Sequence, residues 1–336
     1  MMREADYLTF DEALRQLAEE TTVLSSPVLY GLSGSTTTET QFFRRQWLGI
    51  SVERRRQIMT QLAEGAEANF ELDFNALFRV GLEDPDAAVR TTAIEGLWED
   101  EEVTLITPLV HVLLQDQAAS ARAAAASALG RFALMAEVEE LDKRHASLVR
   151  GALLETVNKA GELVEVRRRA VESVAYLAED SVRDIIARAY RDPDEAMRIS
   201  AVFAMGRSVD PAWSSTVLDE LSNANPAMRY EAARACGELE VEDAVPKLIK
   251  LAADPDREVQ AAAIAALGEI GGKQARHALE RFVRSQDEVV RLLAEDALAE
   301  LELGKEPLDL FVYDPAAPHE EEDDKEAYDE DRDAED

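Results

Sequence analysis

One cysteine, four histidines and a shortage of cations limit what this 336-residue chain can be. A lone Cys236 allows no intrachain disulfide and no Cys-rich metal site. None of His111, His145, His277 or His319 has a second ligand in an H-x3-H or H-E-x-x-H arrangement, and the one His-Glu neighbour pair is His319-Glu320. No D-x-D-x-D-G loop supports a calcium site, and GLSGSTTT (Gly31 to Thr38) lacks the G-K-[ST] ending of a phosphate loop. Lys and Arg number 36 against 69 Asp and Glu, a net charge of −33. Binding nucleic acid or anionic lipid needs the opposite surface, so neither partner class is expected. No apolar run is long enough to cross a membrane, and the acidic start MMREADYLTFDEALRQLAEE is unlike a targeting segment, so the expected compartment is the cytoplasm. Strand signals are missing as well: no sustained Val/Ile/Thr alternation is bounded by Asn-Gly turns.

What the chain does contain is a repeat. The phrase DPDAAVRTTAIEGL at Asp84 returns as DPDEAMRISAVFAMG at Asp192 and DPDREVQAAAIAALG at Asp254, with weaker copies between and after. Anchored on one column, the series reads Arg90, Arg122, Arg167, Arg198, Arg229, Gln260 and Arg291, with successive spacings of 32, 45, 31, 31, 31 and 31. The long step is one repeat plus an insertion of about fourteen residues around 134–164, read as an extended second helix with a longer connection. It serves as structural elongation or as a partner contact.

Within each copy the position six before the anchor is mostly an N-cap type, read as the helix start, and Pro85, Pro193 and Pro255 follow it at the expected first helical position. Apolar residues then fall at one helical face: Val89, Ala93, Gly96 and Leu97 in the first copy, Val259, Ala263, Ala266 and Leu267 in the sixth. The small residues predict close helix–helix packing. Second helices lie between, for example TLITPLVHVLLQ from Thr104 and KQARHALERFV from Lys273. A helix pair of this length cannot bury its face alone, so pairs must stack. The expected fold is all-α, about seven stacked pairs over 73–304 behind an N-terminal helical cap over 1–72.

The pattern D-P-D-x-x-V-R-x-x-A-x-x-A-L-G resembles the short HEAT-like repeat class associated with phycobilisome bilin lyases, over roughly Asn75 to Leu303. The resemblance implies a right-handed α-solenoid and an Asp/Arg ladder between repeats. By resemblance the ladder comprises Asp84, Arg90, Asp116, Arg122, Asp192, Arg198, Arg229, Asp254 and Arg291, with Gln260 in place of one Arg. The motif is informative about fold and poor evidence of activity, since such repeats serve many roles.

At the N-terminus Thr9 and Glu12 form a capping box that opens a helix to about Glu20; residues 21–40 read as a loop; two helices follow, and Arg55 marks a degenerate capping repeat. From Asp314 to Asp336, thirteen acidic and two basic residues give −11, so 305–336 reads as a disordered acidic tail and leaves −22 on residues 1–313. The tail confers solubility, binds a basic partner, or folds back on Arg54-Arg55-Arg56 or Arg167-Arg168-Arg169.

Positions one and five after the anchor project away from the packed stripe. In the middle repeats they are Ile199, Phe203, Tyr230 and Arg234, types enriched at binding hot spots. Unless curvature buries them, they are the candidate site for a partner's helix or extended segment, apolar or basic in character. No catalytic, metal or cofactor residues are assigned, and Cys236 reads as a packing residue. The expected function is a non-enzymatic scaffold or adaptor; the alternative implied by the resemblance is a bilin-lyase-like or other protein-modifying subunit acting with a partner.

Overall fold

The computed structural model describes residues 8–19 and 24–303; the calls on the acidic tail 305–336 and on His319 lie outside them. Among the described residues there are eighteen α-helices and no strand. Four come first: α1 (Phe10–Leu17), α2 (Ser26–Leu32), α3 (Thr37–Trp47) and α4 (Val52–Ala68). Seven pairs follow: α5 (Asn75–Gly81) with α6 (Ala87–Gly96), α7 (Ile106–Gln115) with α8 (Ala119–Glu137), α9 (Lys143–Asn158) with α10 (Val164–Val174), and α11 (Asp180–Tyr190) with α12 (Glu195–Arg207). The last three are α13 (Ser214–Glu220) with α14 (Pro226–Glu238), α15 (Val245–Leu251) with α16 (Arg257–Ile270), and α17 (Gly272–Phe282) with α18 (Glu288–Leu303).

The chain is an α-solenoid. The even-numbered helices from α4 to α18 pack each against the next, whereas the odd-numbered ones touch one another more sparsely. A row of tightly spaced helices beside a row of splayed ones makes the tight row the inner side of the curve. The cause is the small column: Ala93, Ala125, Ala170, Ala201, Ala232, Ala263 and Ala294 are all fully buried. Glycine tightens the C-terminal half further. A Cβ on Gly206 would lie 2.9 Å from the Ala235 Cα, and one on Gly268 would lie 2.9 Å from the Ala297 carbonyl oxygen. The pair α3/α4 stacks below α5/α6 and carries Arg55 in the anchor position.

Three local readings are corrected. Residues 21–40 are not all loop, because α2 forms within them. Val28 and Leu32, four apart, are buried in the core, and Gly31 lets the backbone of Leu8 approach, where a Cβ would meet the Leu8 oxygen at 2.8 Å. The Ser, Thr and Gly content hid this short apolar face. Second, the repeat helices start two residues later than the sequence suggested. Asp86, Asp194, Asn225 and Asp256 are the N-caps, each accepting from a backbone N–H of the first turn. Pro85, Pro193 and Pro255 therefore precede the caps, and only Pro226 takes the first helical position. Third, the insertion does not lengthen the second helix alone: α8 runs 19 residues and α9 16, against 13 and 11 in the next pair α12 and α11.

Candidate functional site

The turn before each inner helix is built from one carboxylate doing two jobs. Asp84 accepts from the N–H of Asp86 at 2.8 Å, and Asp116, Asp192 and Asp254 make the same bond to Ala118, Asp194 and Asp256. Each carboxylate also faces the anchor Arg of the preceding repeat. Arg55 meets Asp84 at 2.8 Å, Arg90 meets Asp116 at 2.7 Å, Arg167 meets Asp192 at 3.3 Å and Arg229 meets Asp254 at 2.8 Å. The anchor side chain of the same repeat donates instead to the Asp backbone carbonyl: Arg90 to Asp84, Arg122 to Asp116, Arg198 to Asp192 and Gln260 to Asp254. The ladder thus joins repeat to repeat through carboxylates and closes each turn through carbonyls.

It has gaps where the sequence departs from the pattern. Arg122 pairs with Glu162 at 2.6 Å, since Gly161 stands where other repeats have Asp; Arg122 and Lys159 hold that carboxyl down to about 2 against its burial. Arg198 bonds only carbonyls, Asp192 and Pro193, because the next turn offers Asn223. Arg291 approaches Glu288 of its own helix at 3.8 Å. A second ladder, unforeseen from sequence, links outer helices to the next connection: Arg79 to Asp100 at 2.7 Å, Arg183 to Asp210 at 2.6 Å and Arg150 to Glu179. Both basic triplets proposed for the tail already hold intrachain partners. Arg55 and Arg56 pair with Asp84 and Asp86, Arg54 donates to the Leu17 carbonyl, and Arg167, Arg168 and Arg169 pair with Asp192 and Glu172.

The structure brings Ile199, Phe203, Tyr230 and Arg234 together on neighbouring inner helices α12 and α14. All four are half-buried. The Arg234 guanidinium lies 5.5 Å from the Phe203 ring centre and 5.8 Å from that of Tyr230, and Arg207 covers Phe203 at 5.4 Å. Two carboxylates hold these arginines: Glu231 at 3.4 Å and Glu238 at 3.4 Å from Arg234, and Glu238 again at 3.2 Å from Arg207. Glu172 completes the cluster by accepting from Ser200 Oγ at 2.5 Å.

Burial pushes the Glu231 carboxyl up to about 7, with Glu172 and Glu238 adding to the effect and Arg234 and Arg207 opposing it. Burial raises Glu238 and Glu269 as well. The folded chain therefore keeps a proton on Glu231 between about pH 4.5 and 7 where the unfolded chain releases it. Stability from this group is full below that window and lost as pH rises through it. Groups held low, Glu162 and Asp86 at about 2, act oppositely and remove stability only below about pH 4. The thermal midpoint will accordingly rise when pH is lowered from 8 to 5.5. In Glu231→Gln that rise will shrink, by an amount equivalent to about 2 kcal/mol. Identical profiles in scanning calorimetry would contradict the assignment.

A second feature of the inner face lies over α6, α8 and α10. It is an open cavity of about 780 Å³ whose floor is Ser120, Ala123, Ala124, Ser127 and Ala128 of α8. Trp98, Leu134 and Tyr176 line one end, with Trp98 49% and Leu134 45% exposed. Glu95, Glu165, Arg131 and Arg169 complete the walls. Sequence reasoning passed over this groove and over Trp98. Its signal was the Ala/Ser face of α8 next to an aromatic in the column where other repeats carry Gly130, Gly206, Gly237 and Gly268. Burial lowers the Arg131 guanidinium to about 10; its Nε donates to the Asp100 carbonyl at 3.1 Å and it lies over the Phe132 ring.

The remaining candidates are placed plainly. Cys236 is fully buried, and burial pushes its thiol up to about 12, which disqualifies it as a nucleophile or attachment point. His111 and His277 are exposed on α7 and α17, and His145 contacts the cap carboxylate of Asp142 at 2.6 Å. Trp213 is half-buried in the short turn before α13. Among the described residues no group of three or more His, Cys, Asp or Glu is arranged to hold a metal, and no helix is long and apolar enough to cross a membrane.

Residues 214–299, from α13 into α18, match the family model described as HEAT repeats. No curated protein matches the chain in sequence. Three solved structures resemble it in backbone path. Importin beta is 14% identical over 87% of this chain and 46% of its own, with a TM-score of 0.45. Human deoxyhypusine hydroxylase is 18% identical over 88% and 96%, with a TM-score of 0.34. An engineered protein is 21% identical over 59% and 97%, with a TM-score of 0.39. Likenesses this distant do not bear on what the chain does.

Proposed function

We propose that the chain is a non-enzymatic scaffold that holds a segment of a protein partner along its inner helices. The observation that carries this reading is the half-exposed Ile199–Phe203–Tyr230–Arg234 cluster on adjacent inner helices. A fully buried cluster would be core; a fully solvated one would offer little anchoring area. Here the centres of half-buried aromatic rings lie 5.4 to 5.8 Å from guanidinium groups, aromatic and arginine side chains being the types that binding hot spots use. The curved row of parallel helices supplies a long surface, and the acidity of the chain selects partners with apolar or basic segments over nucleic acid.

The test is affinity purification with the intact chain and with the double variant Phe203→Ser/Tyr230→Ser, each verified as folded by circular dichroism. A specific partner recovered by the intact chain will be depleted at least about tenfold with the variant. Recovery of the same partners in the same amounts, with the fold preserved, would remove the cluster from the binding surface.

A further inference from the structure

We infer that the groove over α6, α8 and α10 receives an amphipathic helix of a partner protein, one that carries lysine or arginine beside an apolar stripe. This deepens the scaffold reading and rests on it, but it concerns different residues.

Shape selects a helix. The floor of the groove is one face of α8, and between Ser120 and Ser127 that face shows only Ser and Ala. Interaxial distance between packed helices is set by the side chains at the contact, so a floor this shallow admits a second helix closely. From Ser120 to Leu134 the face runs about 21 Å at ~1.5 Å per residue, room for about four helical turns. That length exists because α8, at 19 residues, outruns its neighbours. The insertion thus finds a use: it carries Leu134 out beyond the repeat boundary, where it stays 45% exposed beside Trp98.

Polarity selects the occupant's stripe. Trp98, Leu134 and Tyr176 stand at the C-terminal ends of α6, α8 and α10 or just beyond them and line one end of the cavity together, an apolar cluster in which Trp98 and Leu134 are exposed and Tyr176 is half-buried. Apolar area of this kind, rimmed by charge, is the mark of an interaction surface.

Charge selects the sign. Of the groove's two cations, Arg169 pairs with Glu172 at 2.8 Å, and Arg131, largely withdrawn from water, donates its Nε to the Asp100 carbonyl at 3.1 Å while its Nη2 has no hydrogen-bond partner. The groove's two carboxylates are unpaired: Glu95 and Glu165 have no cationic partner among the described residues. Glu95 reaches water yet is surrounded by protein in the concavity, and that desolvation, with the nearby Glu67 carboxylate, raises its pKa. A cation from the partner relieves both effects, and the net charge of −33 steers it there.

The probe is a displayed library of random 16-residue peptides selected on the full chain, with enriched peptides synthesised and their Kd measured by fluorescence. The expected winners combine an apolar stripe with Lys or Arg. Their Kd will weaken at least about tenfold in Trp98→Ala and severalfold in Glu95→Gln/Glu165→Gln, the latter difference fading at high salt, while Leu292→Ala on the last repeat leaves it unchanged. Leu134→Ser provides a second groove variant should Trp98→Ala prove unstable. Acidic winners, winners indifferent to both groove variants, or no enrichment at all would overturn the inference. Winners lost only in Phe203→Ser/Tyr230→Ser would overturn it while leaving the scaffold reading intact.

Discussion

Ala263→Asp will unfold the C-terminal half of the solenoid at temperatures where Ala265→Asp leaves it intact. The two positions are two residues apart on α16 and receive the same side chain. Ala263 is fully buried in the column that lets α16 lie against its inner neighbours, whereas Ala265 is exposed. At 263 the new carboxylate enters a close-packed interface that offers no cation, and either the charge is buried unpaired or the helices part. A destabilisation of about 4 kcal/mol or more follows at 263, against about 0.5 kcal/mol at 265. Because a stack of repeats is held by nearest-neighbour interfaces, the loss at one interface will also divide the transition, so that the repeats before α15 melt after those around α16. Circular dichroism melts read both effects. Equal midpoints for the two variants would mean that the packed and open faces have been exchanged.

Asp84→Ala will destabilise the N-terminal end by about 3–5 kcal/mol, far more than Asp192→Ala at the equivalent turn. Asp84 is the most loaded carboxylate of the ladder. It takes Arg55 at 2.8 and 3.3 Å, the Trp47 indole Nε1 at 2.6 Å and the N–H of Asp86 at 2.8 Å, and its side chain is wholly buried with Arg55 8% exposed. Truncation strands a buried guanidinium and a buried indole N–H, and the second loss has no counterpart elsewhere in the ladder. Asp192 and Arg167 are 19% and 31% exposed and meet at 3.3 Å, so water replaces what is removed there at about 1 kcal/mol. Urea denaturation of the two variants gives the comparison. Similar losses would show that the ladder is uniform and that the Trp47 bond contributes nothing.

The spacing of 31 residues and the Ala column made the architecture legible, because a solenoid repeats its packing in step with its sequence. The small residues at Ala201, Ala232 and Ala263 can only belong to a close helix contact, and all are buried. Helix starts were less legible. Asp84 and Asp86 are both capping types, and only the geometry shows that the first makes the turn and the ladder while the second caps the helix. The insertion was harder still: a helix that continues past its repeat and one that begins early look alike in periodicity, so the length shared between α8 and α9 was assigned to one of them. The middle cluster of Ile199, Phe203, Tyr230 and Arg234 followed from helical phase. The groove under Trp98 did not, because a cavity arises from what three successive helices leave empty, and Ser and Ala on α8 carry no signal of their own.

The central claim is that the inner row of helices is the binding surface, and hydrogen–deuterium exchange tests it most directly. Exchange is measured on the full chain alone and with a saturating partner protein, or with a peptide from the library selection. Protection concentrated in α6, α8, α10, α12 and α14, with the outer helices α7, α9, α11 and α13 unchanged, is the expected result. Protection confined to the outer helices would contradict the account.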